Sequence, residues 1–173
     1  MKFRHVSLSV LFLVLTLALL SGCNRPGEAE FNKGIEAQRN NELELAKELF
    51  HTALNKDPSL AEAHINLGYV YLREKNYDKA WEETTVGLEK IKNSHKTIVM
   101  GQSWQDQAAL AYNNLAKIVF EKAVQAQKAG LIQEQKRHQE HTVSLLNQAL
   151  ELVPDLEMTQ KNLAYVQRWI KEQ

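Results

Sequence analysis

Histidine, cysteine and carboxylate side chains are the groups that could do chemistry in this chain, and few of them are arranged for it. His138 and His141 in "RHQEH" stand one helical turn apart, with Glu134 one turn before them, a spacing at which side chains on one helix face could share a metal. The surrounding segment is rich in Gln and Lys and reads as a solvated face, which argues against a metal site. His51 and His64 read as helix-surface or packing residues. No Ser-His-Asp arrangement, glycine-rich phosphate loop or CxxC pair is found. Cys23 is the only cysteine, which rules out an intrachain disulfide and leaves stability to packing. The chain therefore reads as non-enzymatic, without metal or dissociable cofactor.

The position of Cys23 carries more information than its thiol. Lys2 and Arg4 precede a run from Val6 to Leu20 that is apolar apart from Ser7, Ser9 and Thr16, and the small residues Ser21 and Gly22 lead into the cysteine. This is the three-part layout of a secretory signal peptide, and the run is shorter than the ~20 apolar residues that a permanent span needs. Leu20-Ser21-Gly22-Cys23 resembles the bacterial lipobox. The resemblance implies removal of residues 1–22, a diacylglycerol on the Cys23 sulfur and acylation of the new amino terminus, so that residues 23–27 form a short lipid-anchored tether. More than one acyl chain is what stable anchoring requires. Asn24 resembles the class sent to the outer membrane, facing the periplasm, if the cell has two membranes. Without Lys2 and Arg4 the rest of the chain has 19 basic against 21 acidic side chains, and no basic stripe suggests nucleic acid.

Residues 28–173 are rich in Ala, Leu, Glu, Gln and Lys, show no β-alternation and read as all-α. Setting residues 61–90 on residues 27–58 superposes Gly68 on Gly34, Ala80 on Ala46 and Leu88 on Leu54, an offset of 34 residues. Two antiparallel helices approach closely where Gly or Ala faces the partner, with large residues filling the hollows beside them. "AYNNLAKIVF" (Ala111 to Phe120) matches "AHINLGYVYL" (Ala63 to Leu72) at an offset of 48, and "TQKNLAYVQRWI" (Thr159 to Ile170) follows 48 further on. Ala149 and Pro154 match Ala53 and Pro58. Each offset of 48 exceeds 34 by 14 residues, near four turns at ~3.6 residues per turn, and sharing them between two helices lengthens each by about two turns.

This period, with small residues and proline in register, resembles the tetratricopeptide repeat. The resemblance implies an α-solenoid, a superhelix of about three helix pairs (about 27–60, 61–94 and 109–156) closed by a C-terminal capping helix, 157–173. Turn positions are least defined around Asn93 to Ser103 and Gly130. In this family the concave face is lined by the first helix of each repeat, which here places Asn32, Asn66, Asn114 and Asn162 at one recurring position. Asn is a mediocre helix residue, and a row of side-chain amides can hydrogen-bond an extended peptide without reading its sequence, as in the asparagine ladders of long repeat superhelices; it can equally support neighbouring helices. Beside this row the same face carries Phe31, Ile35, Arg39, Ile65, Tyr69, Leu72, Arg73, Asn113, Lys117, Phe120, Lys161, Tyr165 and Arg168, an apolar and aromatic first half with a basic edge. Ile65 and Leu72 fit inter-repeat core equally well. Phe31 and Ile35 stand where the two-carboxylate clamp of cochaperones would have Lys and Asn, so that clamp is not expected. Trp81, Trp104 and Trp169 read as core or interface anchors.

The expected function is that of a membrane-anchored adaptor of the cell envelope that holds a peptide segment or helix of another envelope protein in the concave groove. The alternative is an accessory of cell-wall metabolism that recruits hydrolases or touches peptidoglycan. Self-association through the groove or the last helix is a further expectation.

Overall fold

A computed structural model describes residues 25–173; Cys23 and the apolar run before it lie outside the described residues. The described chain is all-α, with seven helices and no strand. They are α1 (Glu28–Arg39), α2 (Leu43–Lys56), α3 (Ala61–Arg73), α4 (Tyr77–Ser94), α5 (Trp104–Lys128), α6 (Ile132–Leu152) and α7 (Glu157–Lys171). Each helix packs on the next, and short turns send consecutive helices back along one another.

Two kinds of turn alternate. After α1, α3 and α5 the chain reverses in three residues, the middle one left-handed: Asn41 (φ 63°), Lys75 (φ 61°) and Gly130 (φ 71°). The backbone bonding is the same each time, with the N–H of Glu42, Asn76 and Leu131 reaching the carbonyls of Ala37, Tyr71 and Ala126. These bonds satisfy carbonyls that a helix end leaves free. After α2 and α6 the chain turns through four residues, "DPSL" (Asp57 to Leu60) and "VPDL" (Val153 to Leu156). In both, the second residue is proline, whose missing N–H ends the helix, and the last donates its N–H to the first. Residues 95–103, between α4 and α5, follow neither pattern.

This explains the two insertions differently. The second divides as expected: α5 runs 14 residues past Asn114 where α3 runs 7 past Asn66, α6 has 21 residues against 14 in α2, and the turns at Gly130 and Pro154 keep their lengths. The first does not. Part extends α4 to 18 residues, part becomes the longer connection 95–103, and part starts α5 early at Trp104. The early start is capped: Ser103 Oγ accepts from the Asp106 N–H, and the Asp106 carboxylate accepts from the Ser103 N–H, satisfying two donors at the helix end.

Small residues permit the close helix pairs. A Cβ on Gly34 would stand 2.6 Å from Phe50 Cε1, and one on Gly68 would strike Thr84 Oγ1 and crowd the Thr84 backbone N at 3.0 Å. One core runs through all seven helices, from Phe31 and Phe50 through Ile65, Leu67 and Ile91 to Ile118, Leu146 and Val166. α3 is buried on nearly every side, between α2 and α4 and against α1 and α5.

Candidate partner-binding groove

The odd-numbered helices α1, α3, α5 and α7 bear the recurring asparagines, and three hollows lie along them. The first, about 590 Å³, is lined by Phe31, Asn32, Ile35, Arg39 and Asn66 together with Leu110 and residues of the 95–103 connection. The second, about 280 Å³, is lined by Asn66, Leu110, Tyr69, Asn114, Lys117 and Asn162. The third, about 260 Å³, takes up Lys117 and Asn162 again and ends on Phe120, Tyr165 and Val166. Asn66 and Leu110 line both of the first two hollows, and Asn113, Lys117 and Asn162 line both of the last two, so the three are neighbours along the odd helices.

The four asparagines on this path are not four equal amides. Asn32 is exposed. Asn66 is buried and its Nδ2 donates to the Glu62 carbonyl one turn back, at 2.8 Å. Asn114 is buried and its Nδ2 donates to the Ile65 carbonyl at 3.3 Å, joining α5 to α3. Asn162, on the exposed face of α7, donates to Asn113 Oδ1 at 3.1 Å. Asn113 in turn donates to Thr159 Oγ1 at 2.7 Å and to the Ala109 carbonyl at 2.9 Å. The two inner amides are thus engaged inside the stack, Asn66 with its own helix and Asn114 with α3, because helix backbones this close bury the side chain and a buried amide must find a partner.

Other expected groove residues also part company. Phe31 is 2% exposed and packs against Phe50 with ring centroids 5.9 Å apart, so it forms the floor and offers no free aromatic face. Ile65 and Leu72 are core. Arg73 lines none of the three hollows; it folds over the Tyr69 ring, donates to Tyr69 Oη at 3.0 Å and reaches Asn41 Oδ1 at 2.8 Å. Ile35 and Tyr69 are half-buried, while Arg39, Lys117 and Tyr165 are exposed. Phe120 meets Tyr165 and Trp169 edge-on, at 5.7 and 5.0 Å, which stiffens the aromatic wall of the third hollow.

Several lining residues had no signal in the repeat pattern. Val99, Met100 and Gln102 wall the first hollow from the 95–103 connection. That connection is held by Glu62, a carboxylate in the first turn of α3 that is 1% exposed and whose Oε1 accepts from the Ile98 N–H at 2.8 Å. Trp104 against His95, with centroids 4.5 Å apart, fixes its other end. Gln107 and Gln38 line the first and second hollows, and each buries a side-chain oxygen with no hydrogen-bond partner. Only the 14-residue excess between Asn66 and Asn114 could have pointed to the connection, and it does not say where the chain goes.

The histidine pair lies elsewhere. His138 is half-buried on α6, and burial, then Arg137 and Lys122, hold its pKa below the ordinary histidine value; His141 is exposed and edges onto Trp81 at 5.9 Å. Among the described residues no group of three His, Cys, Asp or Glu side chains comes together, and no helix is long and apolar enough to cross a membrane. No family model matches the chain, and no curated protein matches it.

Proposed function

We propose that this chain is a lipid-anchored, non-enzymatic adaptor of tetratricopeptide-repeat type in the bacterial cell envelope, which binds an extended segment or short helix of a partner protein along α1, α3, α5 and α7. The observation that carries this reading is the succession of three neighbouring hollows, sharing lining residues, along the odd helices. Hollows lined by both apolar and polar side chains, among them Ile35, Tyr69, Tyr165, Asn32, Lys117 and Asn162, suit a peptide whose side chains enter them and whose backbone meets the polar groups. The alternation of two turn types, recurring with the Gly-Ala and Pro positions, supports the repeat reading. The lipobox-like Leu20-Ser21-Gly22-Cys23 supports the anchor.

A photo-crosslinking side chain placed at Ile35 or Tyr165 in intact cells is expected to capture a discrete protein adduct, while the same group at Glu48, on the exposed side of α2, is not. Adducts from Glu48 alone would overturn the groove reading. Binding of the purified protein to peptidoglycan sacculi that survives Tyr165→Ala and Lys117→Glu would replace it with the cell-wall reading.

A further inference from the structure

We infer that one edge of the helical domain rests on the bilayer surface, with Met100 as its contact point, so that the first hollow opens at the membrane. The placement rests on the anchor reading and adds an orientation to it.

Arg25 is the first described residue. Its Nε meets Asp57 Oδ2 at 2.7 Å, its Nη2 donates to Ser59 Oγ at 2.7 Å and its N–H donates to Glu28 Oε2 at 3.1 Å. The chain is therefore fastened to the α2–α3 turn just two residues after Cys23. Two residues reach at most ~7 Å when extended, so an acylated Cys23 brings that turn within headgroup range. Three residues beyond Ser59, Glu62 ties the 95–103 connection to the same end of the molecule through Ile98. Because consecutive helices reverse, the α2–α3 turn, the 95–103 connection and the α6–α7 turn share this edge, and the turns centred on Asn41, Lys75 and Gly130 occupy the other.

The chemistry of the edge suits a lipid surface. "HKTIVMGQS" (His95 to Ser103) has no acidic residue, and Met100 within it is 98% exposed, an unbranched apolar side chain with nothing of its own chain to cover it. Met158, 44% exposed at the start of α7, lies on the same edge. Of the carboxylates there, Asp57 is held by Arg25, Glu157 pairs with Lys161 at 2.6 Å, Glu28 accepts from the Arg25 N–H and Asp106 caps α5, while Glu151 and Asp155 are exposed. The opposite edge also shows apolar side chains, Leu131 and Ile132 at 48% and 73% exposure. They stand a full α5 length away, about 37 Å for 25 residues at 1.5 Å each.

The test uses the lipoprotein purified from membranes and reconstituted into phosphatidylethanolamine–phosphatidylglycerol vesicles that carry headgroup spin labels. With Cys23 acylated, Met100→Cys and Leu131→Cys each provide a single free thiol for a fluorophore, both at exposed sites that tolerate it. The expected result is at least a twofold loss of fluorescence at position 100 and none at position 131. Quenching at position 131, or at neither position, in a protein whose Cys23 acylation is verified by mass overturns the placement and leaves the anchor standing. A protein that carries no acyl group and leaves the membrane fraction overturns the anchor and the placement together.

Discussion

Gly68 is the tightest joint of the α3–α4 pair, and replacing it tests whether small residues set the helix spacing. A Cβ there would collide with Thr84 Oγ1, with the Thr84 N at 3.0 Å and the Ala80 carbonyl at 3.1 Å close behind. Overpacking of this kind costs about 1–3 kcal/mol, from which alanine's better helix propensity returns about 1, leaving Gly68→Ala destabilised by up to about 2 kcal/mol. Thr84 is fully buried and its Oγ1 has no hydrogen-bond partner, so Thr84→Ala orphans nothing and removes the atom that the new methyl would strike. Introducing Gly68→Ala into the Thr84→Ala background should then be neutral or stabilising, a coupling of about 1–3 kcal/mol. Urea titration of the four proteins reads the cycle directly, and thermal midpoints should follow at about 2–4 °C per kcal/mol for a domain of this size. If Gly68→Ala alone is stabilising, or if the two changes simply add, close approach at Gly68 does not govern this pair.

The hold on the last helix makes a second prediction. Asn113→Ala leaves the Thr159 hydroxyl, fully buried, and the Asn162 amide without the partner they share. An opening made easier by about 1–3 kcal/mol should appear as roughly 5- to 150-fold faster amide exchange in α7 with α1 to α4 unchanged; equal change throughout the domain would show that Asn113 is not a local fastening. The third concerns acid. Burial opposes ionisation of Asp57, but hydrogen bonds from Ser59 and the Arg25 guanidinium outweigh it and hold its pKa below the ordinary value of 3.8. A depressed carboxylate contributes stability that is fully present above its unfolded value and disappears as pH falls through the lower folded one. The difference in stability between the parent and Asp57→Asn should therefore be constant from pH 7 down to about 5 and shrink below 3.8; a difference that does not change with pH would refute the ion pair.

Helical content and the close approach of paired helices were legible because they depend on local chemistry. Ala- and Leu-rich windows form helices, Pro58 and Pro154 stop them, and Gly34, Gly68, Ala46 and Ala80 mark where a neighbour comes close. The face bearing Asn32, Asn66, Asn114 and Asn162 was legible for the same reason, since a recurring offset places residues on equivalent turns of successive helices. Which of those amides remains available was not. Asn66 and Asn114 look like Asn32 in sequence, yet α3 and α5 lie inside the stack and bury them, while α1 at the end of the row leaves Asn32 in solvent.

What the sequence by itself determined, then, is the all-helical character and the register of the odd helices, each a matter of composition or spacing. Only the tertiary structure decided that Phe31 is floor, that Arg73 caps Tyr69, that Asn113 fastens the last helix, and that the extra residues before Trp104 become a wall held by the buried Glu62. Those outcomes turn on which groups lose water when helices distant in sequence come together, and a buried polar atom takes whichever partner that packing brings within reach.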